Sequence, residues 1–101
     1  MALPSGKQLD IPPRTPAHAL WMALRYLHAD RQPVFVGKLA TMMNHKLRQW
    51  KKPHSFMEAS VQRFLRDCHV NSVADYLPWW IELTCGKDGV KRGHVLLRVV
   101  R

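Results

Sequence analysis

Lys38, Thr41, His45, Arg48 and Lys52 recur at spacings of three, four, three and four residues, so on a helix they share one polar stripe. Lys51 adds a further charge at its end. Later in the chain, Gln62, Arg63 and Arg66 lie on the polar side of a second amphipathic segment, with Ser60 alongside. Lys87, Lys91 and Arg92 crowd a stretch that also holds three glycines. The chemistry these types offer is non-covalent. Lysine and arginine neutralise anions, while glutamine and arginine present paired hydrogen-bonding groups that fit the edges of bases.

Covalent and metal chemistry are expected to be absent. The seven carboxylates are scattered singly, and neither a nucleophile motif nor a phosphate-binding glycine loop leading into a helix occurs. His45 and His54 are bases in principle, but on a basic surface histidine is more often an anion contact or simply solvated. The nearest metal candidates are the adjacent Cys68-His69 with Cys85 and His94. Structural zinc sites use a tight Cys or His pair at a spacing of about three to six residues, and neighbours on a helix point to different sides. No metal, cofactor or small-molecule ligand is expected.

Charge narrows the partner class. The 101 residues carry sixteen Lys and Arg against seven Asp and Glu, a formal +9. Its distribution says more than the total. Arg31 to Met57 is +6 with no acidic residue, Gly86 to Arg101 is +4, and the remainder is −1. A solvated face is the ordinary reading of one basic helix, but here several elements carry the excess together, which favours a polyanionic partner. With 47% hydrophobic residues and this length, one domain with a core is expected. No apolar run approaches the eighteen or so residues of a membrane helix, no secretory leader is visible at Met1 to Arg14, and two cysteines fit reduced thiols. A cytoplasmic, nucleoid-associated location is expected.

These groups need elements to hold them. Residues 1–14, with three of the seven prolines and no apolar period, read as a flexible N-terminal arm before a domain at 15–101. Thr15-Pro16 has the form of a helix start, with Ala17, Leu20, Trp21, Leu24 and Leu27 on one face, His18, Met22, Arg25 and Ala29 turned away, and Asp30 to Pro33 as the end. After the β-favouring Val34-Phe35-Val36, a second helix starts near Gly37 and buries Leu39, Ala40, Met43, Leu47 and Trp50, with a break near Asn44 as a variant and Pro53 as its stop. Ser55-Phe56-Met57-Glu58 reads as a capping box opening a third helix, with Met57, Val61, Phe64, Leu65 and Cys68 buried and an end around His69 to Asn71. Beyond Pro78 the period becomes two. Trp79 to Thr84 and Val95 to Val100 read as strands of a hairpin, with Trp80 on the outer face.

Helix, short strand, helix, helix and hairpin with a basic loop is an order that resembles the winged helix-turn-helix DNA-binding superfamily, from about Thr15 to Val100. Ser60-Val61-Gln62-Arg63-Phe64-Leu65-Arg66 is similar to its recognition helices. The stretch from Asn44 to His54 is longer than the three- or four-residue turn of the compact form. The resemblance implies an α+β fold, a three-helix winged-helix domain with a C-terminal β-hairpin as the wing. It implies that the third helix enters the major groove of double-stranded DNA. On that reading Lys38, Arg48, Lys51 and Lys52 meet phosphates, Ser55 and the start of the third helix hold one more, and Lys87, Lys91 and Arg92 clamp another. Gln62 and Arg63, flanked by Ser60 and Arg66, read bases. The expected role is a small transcriptional regulator or a mobile-element or phage DNA-binding factor, working as a homodimer because one small module reads few base pairs. The alternative is a non-enzymatic interaction module, an accessory or inhibitor protein, whose basic face meets an acidic protein or RNA, with Trp80 as an exposed contact.

Overall fold

The computed structural model describes residues 3–65 and 72–100. The elements run α1 (Pro16–Tyr26), β1 (Val34–Phe35), α2 (Val36–Gln49), α3 (Glu58–Leu65), a 3-10 turn (Val73–Tyr76), β2 (Ile81–Cys85) and β3 (His94–Val99). The fold is α+β. Among the described residues three α-helices pack with a three-stranded antiparallel sheet of order β1-β3-β2. Among the described residues no helix is long and apolar enough to cross a membrane.

The start of α1 follows its local chemistry, since the Thr15 hydroxyl accepts from the His18 N–H at 3.3 Å and Pro16 occupies the first turn. Its end comes earlier than Asp30. His28 adopts φ 54°, its N–H donates to the Arg25 carbonyl, and the Ala29 N–H donates to the Leu24 carbonyl at 3.0 Å, a left-handed cap that closes the last turn. The same device ends α2. Lys51 takes φ 58°, and the N–H groups of Lys51 and Lys52 donate to Arg48 and Leu47, so the helix stops before Pro53 is reached and does not break at Asn44. Ala29, expected to face away, is buried, because its carbonyl accepts from the Leu97 N–H at 2.9 Å and ties the α1 exit to β3.

Residues 3–14 are not a free arm. Leu3 and Ile11 are buried in the core, the Pro4 carbonyl accepts from Trp21 Nε1 at 2.9 Å, and Ser5 and Gln8 form a reciprocal cap over one turn. The apolar pattern there has no period because the segment is irregular, yet it covers an otherwise open flank of α1. Gly6 lies so close to the His18 ring that an added Cβ would sit 2.6 Å from it. The ring stacks on Trp50 with centroids 5.5 Å apart, and Arg14 N–H donates to its Nδ1 at 3.3 Å.

Burial first, and then the nearby Lys46 charge, hold the His18 pKa below the ordinary imidazole value. The unfolded chain therefore binds a proton here before the native protein does. Stability is complete above the unfolded pKa of about 6.5 and is lost as pH falls through the lower native value. Urea midpoints compared at about pH 7.5 and pH 5 are expected to drop on acidification. His18→Phe, which keeps a ring on Trp50, should show a smaller drop; an equal drop would assign the effect to other groups.

The α2–α3 connection runs from Trp50 to Met57 without helix. Asn44 organises it. Its Oδ1 accepts from the Phe56 N–H and its Nδ2 donates to the Phe56 carbonyl, both at 2.8 Å, much as a neighbouring strand would. Phe56 then stands edge-on to Phe64, centroids 5.2 Å apart. This overturns the capping box at Ser55. The helix begins at Glu58, so Ser55 lies before it, and Met57, expected in the core, is 72% exposed. Asn44→Ala is expected to cost about 2 kcal/mol by leaving the Phe56 backbone groups half-buried without partners; an unchanged urea midpoint would contradict this.

Two expectations for the hairpin also shift. β1 pairs with β3 through Val34 to Val95 and Phe35 to His94, giving a third strand where only a bridge was read. Trp79 and Trp80 precede β2, and their exposures are reversed: Trp79 is 83% exposed, while Trp80 packs against the core and its carbonyl accepts from the Val100 N–H at 2.8 Å. The third helix beyond Leu65, with Cys68 and its end near His69 to Asn71, lies outside the described residues.

Candidate nucleic-acid interface

The basic side chains are carried by backbone that the local sequence fixes. Lys38, Thr41, His45 and Arg48 all lie on the exposed side of α2, opposite the buried Val36, Leu39, Ala40, Met43 and Leu47. The Thr41 hydroxyl donates back to the Gly37 carbonyl at 3.0 Å, and His45 meets Gln49 at 3.2 Å between ring and amide nitrogens. Lys51, Lys52 and Ser55 are exposed on the connection pinned by Asn44. On α3, Arg63 is exposed and Ser60 and Gln62 are half-buried; Arg66 lies outside the described residues.

The hairpin loop spans residues 86–93 between β2 and β3. Its course needs positive φ at Gly86, Asp88, Gly89 and Gly93, which glycine supplies without strain at three of the four. Arg98 Nη2 donates to the Asp88 carbonyl at 3.1 Å, holding the tip over β3, and Val90 is buried. Lys87, Lys91 and Arg92 all remain exposed.

These residues line different cavities. Gln62 of α3 and Arg92 of the loop line a single cavity with Val36, Cys85, Gly86, Gly93 and His94, and among the described residues no carboxylate lines it. Lys38 lines a neighbouring depression that also includes His94. Thr41, His45 and Arg48 instead line a groove with Met22 and Tyr26 of α1. The long α2 stripe therefore faces two surroundings.

His94, read from the sequence only as a metal candidate, lines the cavity of Gln62 and Arg92 as well. It opens β3, its ring lies 5.6 Å from that of Phe35, and its Nδ1 is 3.2 Å from the Arg92 carbonyl. A histidine beside the last glycine of a basic loop was the available signal. Among the described residues no group of three or more His, Cys, Asp and Glu gathers as a metal site; Cys68-His69 lies outside them.

No family model, curated protein or solved structure matches this chain. Charge and geometry are what carry a function for it. The α3-and-hairpin side offers a guanidinium, a carboxamide and an imidazole around a cavity that no carboxylate lines among the described residues, suited to an anion with hydrogen-bonding edges.

Proposed function

We propose that the chain is a small winged-helix protein that binds double-stranded DNA through α3 and the β2–β3 hairpin. The observation that carries the reading is the cavity shared by Gln62 of α3 and Arg92 at the root of the basic loop, which no carboxylate lines among the described residues. The charge supports it, since the helix α2 region and the hairpin segment hold the entire positive excess. In this docking α3 lies in the major groove, the hairpin acts as the wing, and Lys38, Lys51, Lys52, Lys87, Lys91 and Arg92 meet phosphates. Gln62 and Arg63 reach base edges, glutamine suiting adenine and arginine guanine. A role as a regulator or mobile-element factor, working as a homodimer, follows from the limited number of base pairs one such module reads.

Arg63→Ala tests the division between positioning and reading. It is expected to cost about 1–3 kcal/mol on a preferred duplex selected from a random library, and far less on unselected duplex. Equal losses on both would place Arg63 on the phosphate backbone.

A further inference from the structure

The groove between α1 and α2 has no part in the α3-and-hairpin reading, and its composition differs from that face. Met22 and Tyr26, one turn apart on α1, face Met42 across it, and Tyr26 is 73% exposed. Along the α2 side stand His45, Lys46 and Arg48, while among the described residues no carboxylate lines the groove. An apolar floor under a rim of His45, Lys46 and Arg48, with the neutral Thr41 and Gln49 beside them, gains little from a phosphate backbone, which has no use for methionine and tyrosine. We propose that this groove docks an acidic amphipathic helix of another protein.

Three features select that occupant. Both walls are helices whose backbone groups are bonded internally, so no strand edge is available here and recognition must proceed through side chains. The floor runs about two helical turns, roughly 10 Å, which matches apolar anchors spaced four and seven residues apart on a docked helix. Methionine side chains adapt to such anchors, and the His45, Lys46 and Arg48 rim complements carboxylates flanking them. The partner thus carries Leu-type anchors on one face with Glu or Asp beside them.

The test uses the full chain and a fluorescent helical peptide of about sixteen residues, with leucines at the anchor spacing and glutamates on both flanks. Saturable micromolar binding is expected, at least about tenfold tighter than to a scrambled peptide of the same composition or to one with lysine in place of glutamate. Tyr26→Ala, at an exposed position that folding does not depend on, and Met42→Glu should each weaken it at least about tenfold. Neither variant should change binding to duplex DNA, so failure of this proposal and failure of the DNA reading are separable. Equal binding of the scrambled peptide would overturn the proposal by reducing the effect to net charge. So would retention of affinity by both variants, or binding to anionic phospholipid vesicles without binding to the peptide.

Discussion

Trp21→Ala is expected to lower the melting temperature by about 15–30 °C, the largest stability effect of any single substitution in this protein. Trp21 is fully buried at the centre of α1, and its Nε1 donates to the Pro4 carbonyl at 2.9 Å. Truncation loses the transfer energy of the indole and opens a cavity among Leu20, Leu24 and their neighbours, together about 3–5 kcal/mol. It also frees the Pro4 carbonyl and with it the segment that carries the buried Leu3 and Ile11. Against a total stability of about 5–15 kcal/mol for a domain of this size, that leaves a marginal fold. Trp21→Phe separates the two causes, since it keeps most of the ring and loses the hydrogen bond. Thermal melts of both variants check this, and a Trp21→Ala melt within a few degrees of the parent would show that residues 3–14 do not rely on the indole.

Removal of the hairpin charges is expected to have the largest effect on binding. Lys87, Lys91 and Arg92 are all exposed, so replacing the three with alanine should leave the melting temperature almost unchanged. If each meets a phosphate, the slope of log K against log salt falls in magnitude by about 2.7, and affinity at about 0.1 M salt falls on the order of 10²-fold. Arg98 is left in place because its guanidinium holds the Asp88 carbonyl and therefore the loop itself. Binding isotherms at several salt concentrations decide the matter. An unchanged slope would mean that the hairpin does not touch the polyanion.

Which features could be read from the residues follows from the range of the interactions that fix them. The Thr15-Pro16 start, the apolar face of α2 and its exposed basic stripe are set by neighbours within a turn or two, and sequence spacing alone carries them. The two left-handed helix ends use His28 and Lys51 where glycine is the usual signal, so nothing local announced them. Asn44 acts twelve residues away, on Phe56, and that pairing displaced the helix start from Ser55 to Glu58. β1 is two residues long and gains its identity from β3, some sixty positions later. Trp79 and Trp80 alternate in sequence like strand residues, but they precede β2, so the alternation pointed outward with the wrong tryptophan.

The candidate site divided in the same way. Exposure of Lys38, Arg48, Lys51, Lys52, Arg63 and the loop cations was legible from amphipathic spacing and turn composition. Their grouping was not, because it depends on how α2 sits against α1 on one side and α3 on the other. A single stripe along α2 therefore feeds two places, the groove shared with Met22 and Tyr26 and the depression beside His94.

The most direct measurement is a duplex-DNA titration by fluorescence anisotropy, repeated between about 50 and 200 mM salt with heparin as competitor. If α3 and the hairpin dock on duplex DNA, micromolar or tighter binding, a steep negative salt slope and preference for duplex over heparin are expected. Absence of duplex binding, or affinity no better than for heparin, would contradict this docking and turn the basic surface over to an acidic protein partner.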